Sequence, residues 1–212
     1  MTAERWILLG DSIQSLVYAP GSALGDQSRL TAAQLPRLLN IAINNLSSPG
    51  ARMTDGGQLD FGAASNKNAI TMVRGYAPMA GIIITLGTND WTNPGTSAQS
   101  LLDSYRGMIQ HCRALGLAVV GVSPLNRVGG GDGVQHPDGI FTLGDFQYLI
   151  EAVFQEQAAL LGDQHVKIIQ GGTAPLAAEH FADGLHLNAL GHDVFCQWLI
   201  QKMRALGYWT AI

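Results

Sequence analysis

The chain has 212 residues, 47% of them hydrophobic and only 13% charged, with a formal net charge of −4. That balance suits one compact domain over 1–212 with a real core and excludes intrinsic disorder. The twelve basic residues form no cluster, which argues against nucleic acid or an anionic membrane surface as partner, and no apolar run is long enough to span a bilayer.

Trp6 to Leu9 is an unbroken apolar run that stops at Gly10-Asp11-Ser12, the pattern of a buried parallel strand over about residues 5–10. Neither a basic segment nor an apolar one precedes it, which fits a cytoplasmic chain as given. Ile13 to Arg29 reads as loop, and Thr31 is placed to cap a helix through Leu38. A second strand, Asn40 to Leu46, gives way to Ser47-Ser48-Pro49-Gly50, then to a polar stretch and a weakly amphipathic helix from Ala63 to Gly75. The third strand, Gly81 to Leu86, ends at Gly87-Thr88-Asn89-Asp90-Trp91.

The helix 96–115 has the clearest period, with Leu101, Tyr105, Met108, Cys112 and Leu115 at spacings of four and three. A fourth strand, Leu117 to Ser123, leads into a glycine-rich stretch, 124–140, that is placed to overhang the end of the sheet. A helix over 142–161 and a fifth strand, His165 to Gln170, follow. After the loop 171–187, which contains Asp183-Gly184-Leu185-His186, Asn188 is expected to cap a last helix to about Leu206. Strands alternating with helices predict a three-layer α/β/α sandwich around a five-stranded parallel sheet, for which a doubly wound order 2-1-3-4-5 is taken. Cys112 and Cys196 form no CxxC pair and fall in apolar helical contexts, so buried free thiols are expected.

The polar punctuation follows strand ends. Ser12 comes after the first strand, Gly50 after the second, Asn89 after the third and His186 after the fifth, all at the carboxyl edge where such sheets bind ligands. With neighbouring strands about 4.8 Å apart, Gly50 and Asn89 flank Ser12. The loop from the fifth strand to His186 easily crosses the roughly 14 Å back to the first. A serine hydroxyl needs a base to become a nucleophile, and a neutral imidazole at His186 is that base. Asp183, three residues earlier, is close enough to orient the ring through its other nitrogen. The N–H groups of Ser12 and Gly50 and the amide of Asn89 can serve as donors to a developing oxyanion.

The blocks Gly10-Asp11-Ser12, Gly50, Gly87-Thr88-Asn89-Asp90 and Asp183-Gly184-Leu185-His186 resemble the four signature blocks of the SGNH, or GDSL-type, serine hydrolases. They occur in the family's order and span nearly the whole chain. The resemblance implies a flavodoxin-like sandwich and an ester hydrolase that needs no cofactor. It implies Ser12 as nucleophile, His186 as base, Asp183 as its orienter, and Ser12, Gly50 and Asn89 as the oxyanion hole. Leu187 departs from the family, many of whose members carry proline after the histidine. Gly50 is the least specified block, with Gly56 and Gly57 as its alternatives.

The expected partner is a small-molecule ester of short acyl chain, an O-acetyl group among the candidates, cleaved through an acyl-serine. Thioesterase and lysophospholipase are alternatives within the class. The rival from another class is a protein holding FMN at the same edge, motivated by Ser12 and Ser15. Trp91 is a candidate apolar wall of the pocket. Asp90 is expected to brace a turn, and Asp11 to brace the site or lie at the surface. His180, His186 and His192 recur every six residues, which fits no standard metal spacing, so no metal is expected.

Overall fold

Residues 4–14, 27–54, 63–93, 95–128, 133 and 141–210 are described by the structure, a computed structural model. Five strands, β1 (Arg5–Leu9), β2 (Ala42–Asn45), β3 (Gly81–Ile84), β4 (Ala118–Val122) and β5 (Val166–Ile169), pair in parallel in the order β2-β1-β3-β4-β5. Helices α1 (Thr31–Leu39), α2 (Ala63–Tyr76), α3 (Thr88–Thr92), α4 (Ala98–Ala114), α5 (Leu143–Leu161) and α6 (Ala189–Ala205) complete the expected α/β/α arrangement.

Side chains on a strand alternate between the two faces of the sheet, and the two cores follow that alternation. Ile7, Leu9, Ile82, Ile84 and Val119 pack with Ile70 of α2 and with the apolar faces of α4 and α5. Trp6, Leu8, Ile83, Val120 and Val122 pack on the opposite face, against Leu35 and Leu39 of α1 and against Phe195, Leu199 and Met203 of α6. Each such side chain, fully withdrawn from water, contributes roughly 1.5–3 kcal/mol. Both faces of β1 are therefore covered, which is why its sequence shows no polar alternation. Cys112 and Cys196 are free and buried in α4 and α6.

Register places the loops. Leu8 of β1 is opposite Asn45 of β2 and opposite Ile83 of β3. Pairing continues past the strand ends, where the Ser48 N–H donates to the Gly10 carbonyl (3.1 Å) and the Thr85 N–H to that of Leu9 (2.8 Å). The chain after Gly10 thus emerges between the chains leading to Gly50 and to Asn89.

Three local expectations differ from what is observed. The strands are shorter by one or two residues at their ends, where only single hydrogen bonds such as Leu46 N–H to the Leu8 carbonyl (2.8 Å) carry the pairing on. Leu30, not Thr31, occupies the cap position of α1, and the Thr31 hydroxyl instead meets Nδ1 of His192 at 3.1 Å. Thr88–Thr92 is a short helix rather than an open turn. Asn188 does cap α6, accepting from the Gly191 N–H at 3.0 Å. The run 129–132 and Ser15, Gly56, Gly57 and His136 lie outside the described residues.

Candidate active site

Gly10 allows the turn that presents Ser12. A Cβ at this position would overlap the Thr85 hydroxyl oxygen and crowd the side chain of Gln14, so only glycine lets β1 exit this close to its neighbour. The Asp11 carboxylate then shapes the turn, its Oδ1 accepting the Ile13 N–H at 2.9 Å. Asp11 is 1% exposed, so it braces the site from within. Burial pushes its pKa up to about 6, against the lowering effects of the Ile13 N–H and of His186.

His186 and Asp183 sit on a tight hairpin. Phe181 and Leu187 face each other as an antiparallel pair. The Ala182 N–H donates to the His186 carbonyl (2.8 Å) and the Asn188 N–H to that of His180 (3.0 Å). Leu187 is buried against the α6-side core, and neither of those two bonds uses its N–H. A proline there would leave both bonds intact, so the departure from the family pattern is structurally mild.

The hydrogen-bonded chain is continuous. The Ser12 Oγ lies 2.9 Å from His186 Nε2, across 174 positions of sequence. On the other side of the ring, Nδ1 lies 2.7 Å from Asp183 Oδ2. Asp183 Oδ1 also accepts the N–H groups of His186 (2.7 Å) and Leu185 (3.0 Å). Partial burial raises the pKa of Asp183, but these three donors outweigh it and hold the carboxyl below its ordinary value. Because a carboxylate accepts only, Nδ1 carries the proton and Nε2 is left to accept from the serine hydroxyl.

Gly50 is exposed in the turn Ser48–Ala51, with φ +74. Among the described residues, neither its N–H nor that of Ser12 donates to a protein acceptor. Asn89, in the first turn of α3, donates from Nδ2 to the Ala51 carbonyl at 2.9 Å. The neighbouring Asp90 is fully buried and accepts from the Met53 N–H (2.7 Å), the Thr54 N–H (2.9 Å) and the Thr54 hydroxyl (2.7 Å). Asp90 therefore fixes the segment beyond Gly50 from the β3 side. Burial raises its pKa, which these donors and Arg52 oppose. The structure thus gathers Ser12, Asp183 and His186 into one chain of contacts and ties Asn89 to the loop that carries Gly50.

Trp91 does not form an open pocket wall. Its ring is 3% exposed, packs into the α4–α5 core, and has the Arg127 guanidinium 4.4 Å above it. A stacked cation over an indole is favourable, and it puts charge where the sequence suggests an apolar surface. Arg127 follows β4 in a stretch with no motif, and its only sequence signal is a basic residue just past a carboxyl strand end.

No group of three or more His, Cys, Asp or Glu suited to a metal ion occurs among the described residues. His192 is in the first turn of α6 and His180 accepts the Ala177 N–H at 2.8 Å, so both are separated from His186 by structural roles.

The sequence pattern of the GDSL-like lipase/acylhydrolase family matches residues 8–194. The chain belongs to that family. Among curated proteins none matches it. Among solved structures, a salicylyl-acyltransferase from a tetracycline biosynthetic pathway is 22% identical with a TM-score of 0.72, over 98% of this chain and 56% of that one. A family two carbohydrate esterase from Clostridium thermocellum is 17% identical with a TM-score of 0.72, over 97% of this chain and 65% of that one. A carbohydrate acetylesterase from Sinorhizobium meliloti is 15% identical with a TM-score of 0.68, over 96% of this chain and 99% of that one. The GDSL-like chain therefore spans less than two thirds of the first two and nearly all of the third. At these identities the likeness is one of fold. No helix among the described residues is long and apolar enough to cross a membrane.

Proposed function

We propose that residues 1–212 act as one hydrolase domain that cleaves small carboxylic esters, acetyl esters of sugars among them, through an acyl-serine intermediate. The observation that carries this reading is the Ser12–His186 contact of 2.9 Å with Asp183 on the far ring nitrogen at 2.7 Å.

The steps follow from those contacts. The Ser12 Oγ attacks the ester carbonyl carbon while its proton passes to Nε2 of His186. Asp183 accepts from Nδ1 throughout and stabilises the imidazolium. The carbonyl oxygen becomes an oxyanion that the N–H groups of Ser12 and Gly50 and the Asn89 amide can receive, each such donor being worth about 3–4 kcal/mol of barrier. Collapse expels the alcohol, which takes the proton from Nε2, and leaves the acyl group on Oγ. Water then attacks the acyl carbon, its proton goes to Nε2 and onward to Oγ, and the carboxylic acid leaves. No step in this scheme calls for a cofactor.

A fluorophosphonate probe should label the protein, and Ser12→Ala should abolish both labelling and hydrolysis of 4-nitrophenyl acetate. Full activity of the Ser12→Ala protein sinks the reading. A series of 4-nitrophenyl esters from two to twelve carbons should peak at the short end, and a maximum at eight carbons or more would point to the thioesterase or lysophospholipase alternatives.

A further inference from the structure

Arg127 is a charged group tied to the elements of the site that this scheme leaves without a task. It lies five residues past β4, and its neighbour Val128 donates its N–H to the Gly184 carbonyl at 3.2 Å. That bond ties the segment to the hairpin carrying Asp183 and His186. The guanidinium itself rests over Trp91, two residues beyond Asn89. Arg127 is thus anchored to the histidine hairpin on one side and to the helix of Asn89 on the other.

Its hydrogen-bonding state is unusual. Nη2 is buried and has no hydrogen-bond partner among the described residues. Arg29, Arg106 and Arg113, by contrast, each pair with a carboxylate. A buried guanidinium N–H without an acceptor is costly and uncommon. The carboxylate whose charge reaches it is Asp11, which partly offsets the cost of burying the guanidinium. No hydrogen bond joins Asp11 and Arg127 among the described residues. The Arg127 side chain as a whole is only half-buried, so a guanidinium held over an indole and bound to no carboxylate of the chain can still present its planar fork to a carboxylate from outside.

We propose that Arg127 determines specificity by binding a carboxylate group of the substrate, so that the preferred esters are those carrying a free carboxylate besides the scissile bond. The inference rests on the ester-hydrolase reading of the same site. Trp91 then acts as the platform over which the guanidinium is held, not as a contact for the substrate.

The test compares matched esters. One pair puts the carboxylate on the acyl side, 4-nitrophenyl hydrogen glutarate against its methyl ester. The other puts it on the leaving group, 4-acetoxybenzoate against its methyl ester. Wild type should favour the charged member of one pair by at least about tenfold in kcat/KM, the scale of one hydrogen bond to an ion. Arg127→Gln should erase that preference while turning over the neutral esters within about twofold of wild type, and Arg127→Lys should restore part of it. The preference should also shrink as salt is raised. No charged preference in wild type, or an equal loss on charged and neutral esters in Arg127→Gln, overturns the proposal.

Calorimetric titration of the same charged esters into Ser12→Ala protein, with and without Arg127→Gln, decides the matter without turnover. Binding that is indifferent to Arg127 overturns the proposal. A protein that binds the anion through Arg127 but is not labelled by a fluorophosphonate upholds it and sinks the hydrolase reading alone.

Discussion

The side-chain amide of Asn89 donates to the carbonyl of Ala51 at 2.9 Å, so the chain after β3 and the chain after β2 are locked to each other beside Ser12. One amide hydrogen of Asn89 is held in this way, which fixes the plane in which the other points.

Asn89→Ala should therefore do two things at once. It removes a donor to the oxyanion and frees the carbonyl of Ala51. A loss of about 100- to 1000-fold in kcat, with little change in KM, is expected for 4-nitrophenyl acetate. A rise in KM with kcat preserved would show that Asn89 serves the loop and not the reaction.

Asp90 is expected to matter for stability more than for chemistry. Asp90→Ala strands the N–H groups of Met53 and Thr54 in a buried place, and urea unfolding should show a loss of about 2–4 kcal/mol. Because Gly50 lies just ahead of that segment, kcat should fall as well. Unchanged stability would contradict the account of Asp90 as the brace of this loop.

A methyl group at Gly10 meets the Thr85 hydroxyl, so Gly10→Ala should displace the start of the Ser12 turn. The expected cost is about 1–3 kcal/mol of stability together with a marked drop in kcat. Adding Thr85→Ala removes the nearest obstacle and should recover part of both losses. The crowding by Gln14 remains, so full recovery is not expected.

Two buried groups give stability opposite slopes with pH. Asp11 titrates at about 6 in the folded chain against 3.8 when free, so the folded state holds a proton that the unfolded state has released. Its contribution falls as pH rises through that window, by about 3 kcal/mol. His192, 2% exposed, is pushed down by burial from 6.5 to about 4, so the unfolded state takes up a proton that the folded state refuses. Its contribution falls as pH drops from 6.5 toward 4, again by about 3 kcal/mol. The two nearly cancel in wild type. Denaturant unfolding between pH 4 and 6.5 should show stability rising with pH in Asp11→Asn and falling with pH in His192→Asn. Parallel curves for the two variants would refute this linkage.

Much of this was legible in the chain, because parallel strands covered on both faces must be written as short apolar runs, and Trp6–Leu9, Gly81–Ile84 and Ala118–Val122 are such runs. The strand order β2-β1-β3-β4-β5 does not follow from that rule; it agrees with the doubly wound arrangement that the family resemblance implies, and it brings the strand ends before Ser12 and Asn89 side by side. What escaped depends on contacts between distant residues. The Thr31 hydroxyl is engaged by His192, 161 residues away, so a local capping rule misplaces it. Thr88–Thr92 is too short to show a helical period. Arg127 carries no local pattern at all; only its approach to Trp91, 36 positions earlier (127 − 91), marks it out.

The Phe181–Leu187 pairing has a mechanical consequence. Imidazole and carboxylate ride on the same closed backbone loop, whereas the hydroxyl they serve is rooted at the end of β1, a strand paired on both sides. Any drift of that hairpin carries the ring and its anchor together, so the proton relay lengthens at the serine end first and the histidine–aspartate spacing last.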